Sequence, residues 1–277
     1  LLRSADAAMY QAKDDGRGVL QFYSPSLNQR ALDRLTLENE LRRAVEFGEF
    51  TLHYQPQVHG ATRRLVGMEA LVRWRHPTRG LVLPGHFVPT AEECRLIVRI
   101  DDWVMREACR QNRAWQLAGL PIVPVSVNLS GHHFSRESLI DDVARALADS
   151  GLDAQFLTLE ITEGVLMSEH SKVAANLRRL RQMGVRLALD DFGTGYSSLS
   201  YLKRLPLDEL KIDRSFARDI ATDADSAAIV RAIVAIGETL GLNLIAEGVE
   251  TEGQADCLRL QGCNAMQGYL FGRPQDP

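Results

Sequence analysis

The stretch "LALDDFGTGYSSL", residues 187–199, joins an apolar run to a glycine-bracketed loop through two adjacent acids. The apolar run has the composition of a buried strand, and it stops at Asp190 and Asp191. An isolated Asp-Asp pair is often helix-cap or turn chemistry, which gives a structural interpretation. A chemical interpretation requires that other segments place polar groups beside this pair.

Short apolar runs alternate with amphipathic segments on both sides of this stretch, from residue 50 onward. We predict strands near residues 51–58, 65–73, 122–128, 156–161, 185–190, 208–212, 243–247 and 265–270. We predict helices near residues 92–117, 136–149, 169–183, 197–204, 224–240 and 251–261. Eight strands that mostly alternate with helices favour an α/β fold, a TIM-like (β/α)8 barrel, over a doubly wound sheet, because about 230 residues is close to the usual ~250.

The connection between the first two predicted strands breaks this alternation. Only "HGATRR", residues 59–64, separates them, whereas a parallel crossover needs about a dozen residues or more. This pair should therefore be an antiparallel hairpin. We expect a barrel with an antiparallel first strand.

The residues before the barrel have a different pattern. A helix over residues 5–15 and a strand at "VLQFY", residues 19–23, cannot form a core of their own. Ser24 and Pro25 are a suitable cap and first position for a helix that runs to about Phe47. We therefore predict that residues 1–24 are the end of a preceding domain, that residues 25–48 form a linker helix packing on the barrel, and that residues 49–277 form the barrel.

Composition excludes several classes of protein. With 277 residues, 45% of them hydrophobic, the chain can bury a full core. A formal charge of -4 gives no general attraction to duplex nucleic acid or to an anionic membrane, and we expect neither as a partner. Four cysteines without a CxxC pair suggest neither a zinc site nor a disulfide framework, but core thiols in a reducing compartment. No apolar stretch reaches the ~18 residues of a membrane span, and no signal peptide is recognisable.

Polar side chains stand at or near the carboxyl ends of most predicted strands, where a β/α barrel gathers its reacting groups. They are Glu69, Asn128, Glu160, Glu163, Asp190, Asp191, Lys211, Asp213, Glu247, Glu250 and Gln267. One such residue is easily a cap or a turn former. Six carboxylates in one concavity repel one another unless cations compensate, and the six are Glu69, Glu160, Asp190, Asp191, Glu247 and Glu250.

Oxygen ligands with one Asn and no Cys or His are typical of Mg²⁺ or Mn²⁺ sites. Asp190 can then bridge two ions while Asp191 serves one of them. Two ions ~3.5 to 4 Å apart commonly activate water for in-line attack on phosphorus. Lys211 has two open interpretations, a neutralising salt bridge or a group that orients the attacking water and stabilises phosphoryl charge.

Seven motifs together resemble the EAL-domain cyclic-di-GMP phosphodiesterases, over about residues 33 to 277. They are "MEALVRWRHP" (68–77), "VNLS" (127–130), "LEITE" (159–163), "DDFGTGYSSL" (190–199), "LKIDRSF" (210–216), "AEGVET" (246–251) and "QGYLF" (267–271). The resemblance implies a β/α barrel with an antiparallel first strand. It also implies metal-dependent hydrolysis of 3',5'-cyclic di-GMP to linear pGpG, with Mg²⁺ or Mn²⁺, two ions per site.

The resemblance also implies roles for individual residues. The expected metal ligands are Glu69, Asn128, Glu160, Asp190, Asp191 and Glu247. Lys211 resembles the lysine that positions water and is expected to be catalytic, together with Glu69 and Glu247. Glu163 and Glu250 resemble the acids that support the loop after Asp191. The expected substrate contacts are Gln55, Leu71, Arg73, Asp213 and Gln267, with Arg73 suited to a phosphate and Gln267 near the metal-bound water.

Two further segments bear on this resemblance. Residues 5–23 resemble the C-terminal end of a GGDEF domain, so we expect a fragment of a tandem GGDEF-EAL protein without cyclase activity. The domain is expected in the cytoplasm, whether or not its parent is membrane-anchored. His133 stands where the family usually has glutamine, and we expect His132 and His133 to be surface or helix-entry residues. Trp74 and His76 are expected to be packing and turn residues.

Two other functions stay open at this point. One is a catalytically inactive cyclic-di-GMP receptor, although no motif is lost here as it is in the degenerate relatives. The other is an interaction module that acts through dimer contacts, since the family often forms homodimers through the region after the DDFGTG loop, here residues 195–225. Selectivity for cyclic di-GMP among cyclic dinucleotides comes from the resemblance alone.

Overall fold

The computed structural model describes residues 25–168, 170–193 and 202–277, which form two compact units. The first unit comprises, in its described part, residues 25–50 and 74–96, and the second comprises 51–73 and 97–277. The predicted GGDEF remnant lies outside the described residues, as does most of the predicted helix at 197–204. The three predicted domains and the two boundaries between them therefore stay a prediction.

The first unit is built on a long helix, Pro25–Phe47, which has the bounds predicted from the sequence. The short helix Val88–Glu93 packs against it. Leu41 and Ala44 of the long helix are fully buried. Gly48 follows with a φ of 68°, the left-handed conformation in which helices commonly end.

An aromatic cluster fills the remainder of the first unit. Trp74 is fully buried, and its ring centroid lies 6.2 Å from that of Phe50 and 5.8 Å from that of Phe87. The His76 Nδ1 atom accepts hydrogen bonds from the backbone N–H groups of Thr78 and Arg79, each at 3.2 Å. The expected packing role of Trp74 and the expected turn role of His76 are both confirmed.

Eight strands close into a barrel in the order β1-β9-β8-β7-β6-β5-β4-β2, and β1 pairs with β2. Their bounds are β1 Phe50–His59, β2 Leu65–His76, β4 Val125–Asn128, β5 Leu157–Thr162, β6 Arg186–Phe192, β7 Glu209–Ile212, β8 Asn243–Ala246 and β9 Ala265–Gln267. Strand β1 runs antiparallel to β9, whereas β2 and β4 to β9 form parallel pairs. The predicted TIM-like barrel with an antiparallel first strand is confirmed. A ninth strand, β3 (Gly80–Val82), pairs with the end of β2 and was not predicted.

The helices of the second unit follow the strands. They are Ile97–Leu117, Gly131–Phe134, Leu139–Ser150, Glu163–Ser168, His170–Gln182, Arg214–Asp219, Ala224–Leu240 and Glu252–Leu260. The prediction of one helix over residues 92–117 is wrong at its start, because Arg95 has a φ of 59° and ends the helical path. The helices of four and six residues were missed because they are too short to show a 3.6-residue period. None of the described helices is both long enough and apolar enough for a membrane span.

Alternation along the strands decides what enters the barrel. In β6, Leu187 and Leu189 are fully buried apolar residues, and Asp190 follows them on the opposite face of the strand. In β7, Leu210 and Ile212 flank Lys211, which is itself fully buried. In these two strands the apolar face thus packs outward, and the polar face enters the interior.

All four cysteines are free, and burial raises the pKa of Cys109 and Cys263 to about 12.

Strand β9 ends at Gln267, three residues earlier than predicted, because the chain turns at Gly268 against the segment after β8. The Val249 N–H donates to the Gln267 carbonyl at 3.0 Å, and the Leu270 N–H donates to the Val249 carbonyl at 3.1 Å. A Cβ atom on Gly268 would overlap the backbone oxygen and nitrogen of Val249. This close approach of two backbones places the Gln267 side chain inside the barrel.

We predict that Gly268→Ala lowers the free energy of unfolding by about 3 kcal/mol or more, since backbone cannot move aside as a flexible side chain can. Gly253→Ala is the matched control, because Gly253 lies in the helix Glu252–Leu260 with open space around it. The control should be neutral or stabilising by up to about 1 kcal/mol. Urea unfolding measures both variants. Equal losses in the two variants would contradict the packing described here.

Candidate functional site

The carboxyl ends of the barrel strands bring many of the predicted site residues together. Glu69 lies in β2, Asn128 ends β4, Glu160 lies in β5, Asp190 and Asp191 lie in β6, Lys211 lies in β7, Glu247 follows β8, and Gln267 ends β9. Gln55 lies in the antiparallel strand β1. All except Asp191 are joined by the side-chain contacts described below. This end of the barrel is the candidate active site.

The ammonium group of Lys211 is the centre of these contacts. Its Nζ atom lies 2.7 Å from Glu160 Oε2 and 2.5 Å from Glu247 Oε1. The same atom lies 3.5 Å from Asp190 Oδ1 and 3.6 Å from Glu69 Oε1. Four carboxylates from four strand ends therefore surround a single buried cation. We call these four side chains and Lys211 the acid cluster.

One cation cannot neutralise four carboxylates, and the pKa values reflect this. Burial by itself would lower the pKa of Lys211, but the four carboxylates outweigh it and hold that pKa well above the ordinary value. Burial raises the pKa of Glu160 well above its ordinary range, opposed by Lys211 and reinforced by the other acids. Burial likewise raises the pKa of the Glu247 carboxyl to about 8 despite the Lys211 contact. The acid cluster is therefore short of positive charge.

Glu69 behaves differently because amide groups surround it. Asn128 Nδ2 donates to Glu69 Oε1 at 2.6 Å, and Gln267 Nε2 donates to Glu69 Oε2. Burial raises the pKa of Glu69, but the charge of Lys211 and these two hydrogen bonds outweigh it, so the pKa lies below the ordinary value. Hydrogen bonds thus hold both oxygens of Glu69 in place, and the lowered pKa favours the ionised form of the group.

The Asp190–Asp191 pair combines turn geometry with an unusual backbone conformation. The Asp191 N–H donates to Asp190 Oδ1 at 2.9 Å, and Asp191 has a φ of 54°. This left-handed conformation costs a non-glycine residue about 1 kcal/mol or more and is often found at functional sites. Burial, followed by the charge of Asp190, raises the pKa of Asp191. The strand end thus combines two adjacent acids with a shift in the pairing register of β6.

Glu163, the first residue of the helix Glu163–Ser168, contacts the beginning of the loop after Asp191. Its Oε2 atom accepts a hydrogen bond from the Gly193 N–H at 3.2 Å. Residues 194–201 of that loop lie outside the described residues. Glu250 is exposed, and its backbone N–H donates to Gln254 Oε1 at 2.8 Å. The predicted loop-supporting roles of Glu163 and Glu250 stay predictions.

Three of the predicted substrate contacts, Gln55, Leu71 and Arg73, lie in strands β1 and β2. Gln55 is buried, and its Oε1 atom accepts from Gln267 Nε2 at 3.1 Å. Arg73 is buried in β2 and donates to the Val72 carbonyl at 2.8 Å, and burial lowers the pKa of its guanidinium. Leu71 is half-buried in the same strand. Their roles toward a substrate stay predictions.

Asp213 caps the helix Arg214–Asp219, since its Oδ1 atom accepts from the Ser215 N–H at 3.0 Å. A cap is the structural interpretation that a polar residue after a strand always allows. Whether Asp213 also contacts a substrate stays a prediction.

His132 and His133 both lie in the helix Gly131–Phe134, which confirms helix entry. The surface alternative holds for His132 but is wrong for His133, which is fully buried. Its Nδ1 atom lies 3.6 Å from Asp101 Oδ2, and its Nε2 atom lies 3.6 Å from Asp142 Oδ2. These two acids lie on two other helices, Ile97–Leu117 and Leu139–Ser150, so the residues adjoining His133 gave no sign of the burial.

One buried side chain beside the cluster was missed. Gln57 Nε2 donates to Gln267 Oε1 at 3.0 Å, and Gln57 is almost fully buried. Gln57 lies two residues after Gln55 on β1. Because alternate residues of a strand share a face, that spacing was the signal available in the sequence.

The donor set fits hard divalent cations, because its ligands are oxygens from acids and one amide. Glu160 Oε1 is buried and has no hydrogen-bond partner in the described part of the chain. A buried acceptor of this kind is suited to coordinating a cation. As they stand, no three His, Cys, Asp or Glu side chains of the described residues are arranged to hold an ion. The Lys211 ammonium contacts an oxygen of each of the four carboxylates of the acid cluster. Ion binding would therefore require Lys211 to give up some of these contacts.

Comparison with known proteins identifies one family and several similar relatives. The family profile described as "EAL domain" matches residues 38–274. The chain is 50% identical over 274 residues to the Pseudomonas aeruginosa protein named "Bifunctional diguanylate cyclase/cyclic di-GMP phosphodiesterase MucR", covering 99% of this chain and 40% of the relative. It is 48% identical over 274 residues to "Cyclic di-GMP phosphodiesterase NbdA" of the same organism, covering 99% and 35%. The chain thus spans less than half the length of these relatives.

Solved structures show the same similarity. "PaMucR Phosphodiesterase, c-di-GMP complex" superposes with a TM-score of 0.84 at 49% identity, covering 87% of this chain and 98% of that chain. The EAL enzyme Bd1971 in its cAMP and cyclic-di-GMP bound form superposes with a TM-score of 0.84 at 34% identity, covering 89% and 68%. Both comparisons extend over the barrel that carries the acid cluster.

We predict that Lys211→Met destabilises the metal-free protein by about 3–5 kcal/mol at pH 8, since it leaves buried carboxylates without their cation. The loss should be smaller at pH 5. Without Lys211 the pKa values of these carboxyls rise further, so stability present in the protonated state is lost as the pH rises through them. Urea unfolding in EDTA measures this, with the exposed Lys203→Met as control. A pH-independent loss would contradict the charge balance described here.

Proposed function

The chain belongs to the EAL-domain family, and we propose that it hydrolyses 3',5'-cyclic di-GMP to linear pGpG with Mg²⁺ or Mn²⁺ as cofactor. The observation that carries this proposal is the acid cluster, in which four strand ends place carboxylates around one buried ammonium group. Two relatives with 50% and 48% identity are named as cyclic-di-GMP phosphodiesterases, which supports the substrate. A similar solved structure is described as a complex with that dinucleotide.

Six residues of this chain would hold the ions, expected as a pair, and they are Glu69, Asn128, Glu160, Asp190, Asp191 and Glu247. When bound, such ions supply an activated water and stabilise charge on the attacking and leaving oxygens. The chain itself supplies the orientation of the ligands. Asn128 and Gln267 hold both oxygens of Glu69. The left-handed backbone at Asp191 lies where the pairing of β6 shifts register between Leu189 and Phe192, so the two acids do not follow the alternation of a regular strand.

Lys211 is the residue proposed to act on the attacking water. In the metal-free protein its pKa lies well above the ordinary value, so the amine is protonated before ions bind and can donate hydrogen bonds. A buried ammonium group stabilises negative charge that develops on a phosphoryl oxygen more strongly than an exposed one does. Glu69 and Glu247 contact this ammonium and set its position, which is their proposed share in catalysis.

The substrate would lie over the same end of the barrel. Arg73 offers a guanidinium for a phosphate, and its burial strengthens such a contact. Gln55, Leu71, Asp213 and Gln267 complete the proposed substrate contacts. A homodimer through residues 195–225 is also part of the proposal, and it rests on the resemblance to the family.

We predict hydrolysis of cyclic di-GMP to pGpG in the presence of Mg²⁺ or Mn²⁺, and its loss in EDTA. Glu160→Gln should lower kcat about a hundredfold or more, because it removes a charged ligand at the centre of the cluster. Glu46→Gln, on the exposed face of the helix Pro25–Phe47, is the matched control and should retain full activity. Chromatographic detection of pGpG gives the rates.

The same experiment separates an enzyme from an inactive receptor. Calorimetric titration of the dinucleotide in EDTA reports binding alone. Binding by the wild-type chain with no pGpG formed at any Mg²⁺ or Mn²⁺ concentration would replace the proposed enzyme by the receptor. Undiminished hydrolysis after chelation would contradict the metal dependence.

We predict that the affinity for Mg²⁺ rises with pH. The Glu247 carboxyl has a pKa of about 8 in the metal-free protein and must lose its proton to become a ligand. At a pH below this pKa, Mg²⁺ binding must displace a proton from Glu247. The Mg²⁺ affinity should then fall by up to about tenfold for each unit by which the pH is lowered. The Mg²⁺ concentration that gives half-maximal thermal stabilisation, measured without substrate at pH 6.5 and 8.0, reports this. Equal values at the two pH values would contradict the prediction.

A further inference from the structure

We propose that Gln57 is a positioning residue for the candidate active site, because its side-chain amide holds Gln267 in the orientation that lets Gln267 donate to Glu69. The effect on metal binding rests on the proposed role of Glu69 as a metal ligand. The orientation of Gln267 does not depend on that role. None of the seven family motifs includes Gln57.

The contacts form a chain across the first and last strands of the barrel. Gln57 in β1 lies directly opposite Gln267 in β9 in the antiparallel register. Gln57 Nε2 donates to Gln267 Oε1 at 3.0 Å. Gln267 Nε2 in turn donates to Glu69 Oε2 and, at 3.1 Å, to Gln55 Oε1. All four side chains are buried.

The chemistry of the groups fixes the direction of this chain. The ionised carboxylate of Glu69 only accepts hydrogen bonds, so Gln267 must turn its NH₂ group toward it. The Oε1 atom of Gln267 then points in the opposite direction and needs a donor, which Gln57 supplies. If the Gln267 amide rotated by half a turn, its oxygen would face the Glu69 carboxylate. Two acceptors in a buried site repel each other, so Gln57 and Glu69 together select one orientation.

Gln55 completes the arrangement from the third side. Its Nε2 atom donates to the Gly272 carbonyl at 3.0 Å, which leaves its Oε1 atom to accept from Gln267. Gln55 and Glu69 therefore both accept from the NH₂ group of Gln267 and favour the same orientation of its amide. Neither contact supplies a donor to Gln267 Oε1. That task falls to Gln57.

The surroundings of Gln57 fit a role that depends on its amide group. A Cβ atom on Gly67 would overlap Gln57 Oε1, so a glycine in β2 leaves room for this side chain. Gln57 also lines a cavity of about 410 Å³ with Ser126 and Thr158. Space beside the side chain means that an apolar residue of similar length fits without repacking the barrel. A substitution can thus remove the donor with little change in packing.

Loss of the Gln57 donor would change the hydrogen bonding of Glu69. Gln267 Oε1 would be buried without a partner, so the amide would be held less firmly in one orientation and its hydrogen bond to Glu69 would weaken. Residues that orient a metal ligand in this way typically change metal affinity about 10- to 100-fold when they are replaced. The effect differs from a loss of stability, because it concerns one carboxylate and not the barrel.

The first measurement compares Gln57→Met, of similar length but without a donor, with Asn112→Leu. Asn112 is a buried amide of the helix Ile97–Leu117 that donates to the Val123 and Phe156 carbonyls, so it controls for the loss of a buried donor elsewhere. Gln57→Met should raise the Mg²⁺ concentration for half-maximal thermal stabilisation of the substrate-free protein about 10- to 100-fold, and Asn112→Leu less than about twofold. Equal changes in both variants would overturn the proposal. Gln57→Glu, which is polar but has no donor when ionised, repeats the test.

A second measurement needs neither metal nor activity. The side-chain NH₂ resonances of Gln267 in a ¹⁵N spectrum are assigned by their disappearance in Gln267→Leu. In metal-free protein they should shift in Gln57→Met and stay unchanged in Asn112→Leu. Unchanged Gln267 resonances in Gln57→Met would overturn the proposal. Shifted resonances in a protein that binds no Mg²⁺ would support the role of Gln57 in orienting Gln267 and contradict the proposed function.

Discussion

A single buried ammonium group among four carboxylates is the interaction on which the candidate site depends. Removing a carboxylate from water costs several kcal/mol, and the cost is offset only by nearby positive charge and hydrogen bonds. Lys211 supplies the charge for Glu69, Glu160, Asp190 and Glu247 at once. Burial raises the pKa values of Glu160 and Glu247, and one positive charge shared among four acids is too little to reverse this. The same deficit supports the proposed binding of divalent ions, because each ion would bring positive charge that the lysine alone does not supply.

Neighbouring charges and hydrogen-bond donors, and not burial alone, set the directions in which the pKa values of the buried acids shift. Glu69 and Glu160 are both buried, yet the pKa of Glu69 is lowered and that of Glu160 is raised. Glu69 receives amide donors on both oxygens, whereas Glu160 Oε1 has no hydrogen-bond partner among the described residues. The glutamines of β1 and β9 therefore belong to the electrostatics of the site as much as the acids do. The buried amide groups of Asn128 and Gln267 thus help to lower the pKa of Glu69 and donate to none of the other three carboxylates described in the acid cluster.

The sequence predicts the barrel because each strand carries its own signal. Alternation and apolar runs identify eight strands, the six-residue connection identifies the antiparallel first strand, and the convergence of strand ends gathers the acids. The sequence does not predict what depends on pairs of distant side chains. Gln57 and Gln267 are 210 residues apart, and His133 is buried close to acids of two other helices. The break at Arg95 and the short strand β3 depend on single backbone conformations and pairings that leave no periodic pattern.

The most direct test of the central claim is anomalous diffraction from a crystal grown with Mn²⁺ and the dinucleotide. The account predicts two manganese peaks about 3.5–4 Å apart among the acids of the cluster, with Lys211 Nζ displaced from at least some of its carboxylate contacts. No manganese at the acid cluster, with Lys211 still in contact with all four carboxylates beside a bound dinucleotide, would contradict it.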